Sequence, residues 1–251
     1  MPPFESAYYH SLRPFADLFA TGLPILTYHK LGPRPSGARL KGLYLSQRLF
    51  SHQLAELRQA GFVSGRLSDA GSSPSSPNRR IGITFDDGFL NVLEFGAALL
   101  KEHNFRAIQF LVAAKLGGQN DWEIADGEVP APLMNEAQVR DWLAAGHEIG
   151  SHTLTHPWLT RVSTAQAREE ITASRKKLED RFGTSIDHFC YPYGDWNESV
   201  RDLVQGAGYK TACTTQPGIN TPTDSLFALK RFTARYPSRN LKAFWRRFRR
   251  A

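Results

Sequence analysis

Residues Ile81–Phe85 (Ile-Gly-Ile-Thr-Phe) form an apolar, β-prone run that stops at Asp86, Asp87 and Gly88. A buried strand ends this way when its last residues must face a site rather than a core. Successive side chains of a strand point to opposite faces, so both carboxylates can serve one site only where the strand breaks into a turn. Gly88 supplies the backbone freedom for that break. Two adjacent acids in one site repel unless a cation lies between them or one is protonated. The stretch Gly146–Pro157 (Gly-His-Glu-Ile-Gly-Ser-His-Thr-Leu-Thr-His-Pro) offers the other ligands such a cation needs.

The remaining chain repeats a strand–helix rhythm. Residues 1–22 are aromatic but aperiodic and read as an arm packed on the body. Strands are expected at Pro24–Tyr28, Ala107–Val112, Glu148–Ser151, His188–Tyr191, Lys210–Thr214 and near Ala228–Phe232. Ser46, Asn135 and Ser163 stand where helix N-caps belong, each ahead of apolar residues at helical spacing. Residues 70–78 and 114–133 are rich in Gly, Ser and Pro and read as loops, the second near the mouth of a site. Strands alternating with helices imply right-handed crossovers and a parallel sheet. The expectation is an α/β fold, a distorted (β/α) barrel that is short or incompletely closed. Its chemistry sits just after strand C-termini.

Composition narrows the alternatives. Of 251 residues, 41% are hydrophobic, enough for one sizeable core, so wholesale disorder is excluded. Net charge is +7, but the last thirteen residues hold six Lys or Arg and no acid, so the body is only mildly charged and nucleic acid is not implied. Two cysteines make no disulfide framework. No basic n-region precedes an apolar run at the N-terminus, so no signal peptide is expected, and no apolar stretch reaches membrane-span length. A cytoplasmic protein is the expectation, with peripheral membrane contact if the basic tail supplies it.

His152 and His156 are four apart, but Pro157 biases His156 away from helical backbone, so a tight loop after a strand is expected. Two imidazoles and one carboxylate with open positions form a hydrolytic zinc ligand set. Asp87 is the natural third ligand, and Asp86 the general base that takes a proton from water. Cobalt, nickel or iron would suit the same ligands. His147-Glu148…His152 is not a helical zinc motif, because its histidines are five apart on an expected strand.

Thr84-Phe85-Asp86-Asp87-Gly88 and Ser151-His152-Thr153-Leu154-Thr155-His156-Pro157 resemble the first two motifs of the NodB-type polysaccharide deacetylases, carbohydrate esterase family 4. Phe189-Cys190-Tyr191-Pro192-Tyr193-Gly194 resembles the third. The resemblance spans about Leu23–Tyr236 and implies a domain over 23–237. It implies a NodB-type barrel, a divalent metal on Asp87, His152 and His156, Asp86 as base and the Tyr193 backbone N–H as an oxyanion donor. Two features depart from the pattern. The third motif often begins with an Arg that braces the catalytic Asp, and Cys190 stands in its place. No His follows His188, although the family's general acid usually lies near the C-terminus. Tyr28-His29 resembles the arrangement of the biofilm poly-N-acetylglucosamine deacetylases, which implies His29 as the acid. Tyr191, Trp196 and Trp122, with Tyr193, offer aromatic faces that suit pyranose rings.

The implied activity is hydrolysis of an acetamide on an N-acetylated sugar in a polysaccharide or glycan precursor. Two alternatives accompany it: a deacetylase or deformylase of a polyprenyl-linked amino sugar at a membrane face, and an inactive carbohydrate-binding protein of the same fold. The first draws on residues 238–251, where Leu241, Phe244, Trp245 and Phe248 alternate with Lys and Arg at helical spacing, a pattern suited to an anionic membrane surface.

Overall fold

The computed structural model describes residues 8–71, 79–124 and 127–234. The apolar runs become parallel neighbours. β2 (Ile25–Tyr28) and β6 (Arg79–Phe85) pair in register from Ile25 opposite Gly82 to Tyr28 opposite Phe85. Onward from β6 follow β7 (Ile108–Leu111), β8 (Glu148–Ser151), β9 (His188–Cys190) and β10 (Thr211–Cys213). On the other side of β2 lie β11 (Phe232–Ala234) and then β1 (Tyr8–Tyr9), while β5 (Phe62–Ser64) runs beside the first residues of β6. β3 (Lys30–Leu31) and β4 (Tyr44–Leu45) form a separate two-stranded pair.

The sheet curls into an incomplete barrel. Its seam lies between β10 and β11, where a single bridge, Cys213 opposite Leu229, replaces a ladder. The sequence places the last strand near Ala228–Phe232, and the structure places it at Phe232–Ala234. The backbone of Leu229 bonds Ala212 and Thr214 beside β10, and Phe232 then pairs Leu26 of β2. Arg231 lies in that crossing, with its side chain buried.

Helices pack outside. α2 (Gln47–Gln59) buries Phe50, Leu54 and Leu57, and α3 (Leu90–Glu102) buries Val92 and Leu100. α4 (Glu136–Ala144) and α5 (Thr164–Phe182) start with full capping boxes, Asn135 with Gln138 and Ser163 with Gln166. α6 (Glu198–Gly206) is capped by Asn197. The N-terminal segment belongs to the same core: β1 is an edge strand, and Tyr9, Phe15 and Phe19 are buried around Phe62 and Phe232. The basic tail from residue 238 lies outside the described residues. No described helix is long and apolar enough to cross a membrane.

One core histidine has a pH consequence. His147 is buried with its ring 4.1 Å from that of Trp142, and neither ring nitrogen has a hydrogen-bond partner among the described residues. Burial, aided by the Arg106 charge, pushes its pKa down to about 4. The folded state therefore resists a proton that the unfolded chain accepts near pH 6.5, so stability is full above that pH and falls as pH drops toward 4. This group should remove about 2 kcal/mol between pH 7.5 and 5. Urea titrations at both pH values should show that loss in the wild type and a correspondingly smaller one in His147→Leu. Equal losses in the two proteins would contradict it.

Candidate active site

The end of β6 carries the first half of the site. After Phe85 the chain enters a turn in which Asp87 and Gly88 take left-handed backbone, φ 77° and 85°. Both carboxylates thereby reach the same end of the barrel, and both are 3% exposed. His152 and His156 follow β8 on a tight loop, with Thr153 and His156 each at φ 69°. Asp87, Thr153, His156 and Tyr193 are four of the five described non-glycine residues with positive φ. Such backbone persists where surrounding structure holds it, commonly at functional sites.

Asp87 Oδ1 lies 3.4 Å from Nε2 of both His152 and His156. His152 Nδ1 is 2.7 Å from the Cys190 carbonyl, which can only accept, so Nδ1 carries the hydrogen. Burial alone would lower the His152 pKa, but the Cys190 and Asp87 groups hold it well above the usual imidazole range; a neutral ring would face a carboxylate oxygen with its Nε2 lone pair. Two acceptors facing one another across a buried gap require a proton or a cation between them. The three donor atoms meet within 4.8 Å of one another, a set that fits a divalent metal. Burial alone would raise the Asp87 pKa, but the two imidazoles hold it well below the carboxylate range. The His156 ring is wedged between Trp122, stacked at 4.6 Å, and Tyr193, edge-on at 4.5 Å.

Asp86 has a different partner. Arg231 forms a fork on it: Nη1 donates to Oδ1 and Nη2 to Oδ2, both at 2.8 Å. The guanidinium is buried, and its Nε donates to the Thr214 carbonyl. Burial pushes the Asp86 pKa up, but the charge and hydrogen bonds of Arg231 outweigh that and hold it below the usual range. Cys190 Sγ lies 3.2 Å from Arg231 Nη2. The bracing arginine is therefore present, rooted before β11 instead of in the third motif, and the small Cys190 side chain leaves room for it. Asp86, His152 and Cys190 also come within metal-binding reach of one another, but the Arg231 cation occupies the space between Asp86 and Cys190. Burial pushes the Cys190 thiol up to about 11, which suits a packed thiol and not a reactive one.

His29, at the end of β2, places Nε2 3.8 Å from Asp86 Oδ2, on a side chain still 21% exposed. Burial presses it toward the neutral form, while the charges of Asp86 and Asp87 pull the other way. Tyr193 adopts φ 60° and Gly194 φ 71°. A Cβ at Gly194 would fall 2.0 Å from Thr215 Oγ1, so this turn admits only glycine.

The expected aromatic faces separate. Trp122 sits at the site against His156, on a loop tied down by Asn120, whose side chain bonds Glu123 and the Ala131 N–H. Behind that loop, Lys30 is fully buried between Phe89 and Tyr44, with Glu123 and Glu128 at 3.8 and 3.9 Å. Tyr191 does not line a cleft. It is 1% exposed, and its hydroxyl donates to the Phe227 carbonyl. Trp196 is half-buried and packs on Tyr191 at 5.9 Å, which makes it a cover for the core more than an open face. The sequence reading passes over Trp158, an exposed ring stacked on Tyr193 at 4.1 Å with 5° between planes. The only local signal is an aromatic residue directly after His156-Pro157.

Comparison with known proteins agrees with this geometry. The model of the polysaccharide deacetylase family matches residues 73–212. The chain is 25% identical over 213 residues to YxkH of Bacillus subtilis, covering 83% of this chain and 70% of that protein. It is 30% identical over 128 residues to the peptidoglycan-N-acetylglucosamine deacetylase PgdA of Listeria monocytogenes, covering 51% of this chain but only 24% of PgdA. In fold it is similar to IcaB from Ammonifex degensii, with a TM-score of 0.75 and 22% identity over 89% of this chain and 96% of that one. With more than half of its length matched by the family model and the sheet curled as in its structural neighbour, the chain belongs to the polysaccharide deacetylase family.

Proposed function

We propose that this protein is a metal-dependent N-deacetylase that hydrolyses the acetamide of an N-acetylated sugar in a glycan, with zinc as its ion. The observation that carries the reading is the convergence of Asp87, His152 and His156 beside an Asp86 held as an anion by Arg231. A divalent cation on the triad would supply Lewis acidity, lowering the pKa of water and polarising the acetamide carbonyl. Asp86 takes the proton of the attacking water, and Arg231 keeps the carboxylate ionised and aimed. The Tyr193 backbone N–H donates to the oxygen on which negative charge develops. His29, 3.8 Å from Asp86 Oδ2, receives the proton that Asp86 took from water and gives it to the sugar nitrogen as the carbon–nitrogen bond breaks, so both residues return to their starting forms. Acetate and a free amine leave. Trp122 supports the wall of the cleft through His156.

The arginine brace removes one of the two grounds for reading the chain as an inactive binding protein. The other, the missing C-terminal histidine, is met by His29 in this scheme. Action on a lipid-linked sugar rests on the tail alone, and no described residue adds to it.

The test is metal content together with acetate release from N-acetylglucosamine oligomers, on protein purified without chelators. Near-stoichiometric metal and acetate release are expected in the wild type. His152→Ala should lose both, because it removes one of the three residues proposed to hold the ion. Protein that takes up no divalent metal on reconstitution would overturn the reading.

A further inference from the structure

The loop after the second histidine builds a feature the proposed chemistry does not use. Residues 158–161 close a turn in which the Arg161 N–H donates to the Trp158 carbonyl at 3.0 Å. Asp195 straps this turn to the third-motif loop, its Oδ2 accepting from the Thr160 N–H at 2.8 Å and its Oδ1 from the Thr160 hydroxyl at 2.7 Å. Above the strap, rings form a column. His156 meets Tyr193 at 4.5 Å, Tyr193 lies flat against Trp158 at 4.1 Å, and the Arg161 guanidinium caps Trp158 at 4.1 Å.

Tyr193 and Arg161 both lie over Trp158, which leaves its exposed part as an edge and not an open platform for a pyranose. The ring is a pedestal for a cation. A guanidinium seated over an aromatic ring still has N–H groups to offer a planar or tetrahedral oxyanion. Arg161 is exposed and has no carboxylate at ion-pair distance among the described residues, and Asp195 on the facing loop already has both oxygens engaged by Thr160. The column begins on a proposed metal ligand and ends on the charge, three ring spacings away.

We infer that Arg161, seated on Trp158, is a subsite for an anionic substituent, a phosphate or a carboxylate, carried by a sugar flanking the N-acetylated residue. This rests on the deacetylase reading for the position of the reacting sugar, but not for the binding of the anion. The glycan acted on is then a charged one, and Arg161 selects it over a neutral polymer of the same sugar.

The test uses the zinc-loaded protein with three probes: an N-acetylglucosamine tetramer, the same tetramer with a phosphomonoester on one flanking sugar, and one with a carboxylate at that place. In the wild type, kcat/KM for acetate release should favour an anionic tetramer about tenfold, the scale of one charge-assisted hydrogen-bonded pair. The preference should shrink at high salt and fall below about twofold in Arg161→Gln, with Arg161→Lys in between because it lacks the fork. A preference for one anionic tetramer alone identifies the substituent. Equal kcat/KM for all three in the wild type, or a preference that survives Arg161→Gln, overturns the inference. If no tetramer yields acetate, the deacetylase reading fails by itself, and titration calorimetry decides the subsite. Tighter binding of an anionic tetramer by the wild type than by Arg161→Gln sustains it, and equal binding overturns it.

Discussion

Arg231→Met is expected to destabilise the fold by about 3–5 kcal/mol, the cost of leaving a buried carboxylate without its partner. The same substitution should lower kcat at least about 100-fold, since Asp86 would lose both its aim and the charge that keeps it ionised. Arg231→Lys should restore part of the stability and little of the rate, because one ammonium cannot hold both oxygens as the fork does. A rescue experiment separates position from identity. Cys190 Sγ lies 3.2 Å from the Arg231 guanidinium, so an arginine rooted at 190 points into the same space. The double variant Cys190→Arg with Arg231→Ser should recover activity relative to Arg231→Ser alone. Chemical denaturation and steady-state acetate release check each step. An Arg231→Met protein with unchanged stability and turnover would mean that Asp86 needs no brace.

Asp86→Asn separates catalysis from binding. The substitution removes the proton acceptor while leaving Asp87, His152 and His156 in place, so metal content should stay near stoichiometric. Turnover should fall about 100- to 10,000-fold, the range for loss of a positioned general base. Asn also offers its own N–H groups to Arg231, so some loss of stability accompanies it, and the metal assay shows that the site still forms. Turnover near the wild-type rate would require another base. His29 lies 3.8 Å from Asp86 Oδ2.

The convergence of Asp87, His152 and His156 was legible in the sequence because its parts carry local signals. Asp86 and Asp87 are adjacent, His152 and His156 are four apart, and each pair follows an apolar strand run that marks where it sits. The helix starts were legible for the same reason, since Ser46, Asn135, Ser163 and the residues they cap are three apart. Arg231 was not, because nothing near it in sequence states its partner. It is one basic residue among many, in Leu-Lys-Arg-Phe, and Asp86 is 145 positions away. The one available clue was an Arg between residues that read as strand, where a charge must be paired to be buried. β3, β4 and β1 are two residues long, too short for any period to appear. Tyr191 was misplaced because strand alternation does not say which face of a curled sheet is filled. Trp158 and Arg161 were missed because their meaning lies in stacking across two loops.

The seam of the barrel also sets an order of assembly. His29 leaves the first long strand of the sheet and Arg231 enters the last, yet both close on Asp86, which lies between them in the chain. A chain still emerging during synthesis can pair β2 with β6 well before Arg231 exists to meet Asp86. Until then the carboxylate must remain hydrated, because burying it alone is too costly. Drying of the barrel mouth is therefore tied to docking of β11, a contact of long sequence separation and correspondingly late closure. A chain cut before Arg231 would hold every proposed metal ligand and still lack the partner that lets Asp86 be buried.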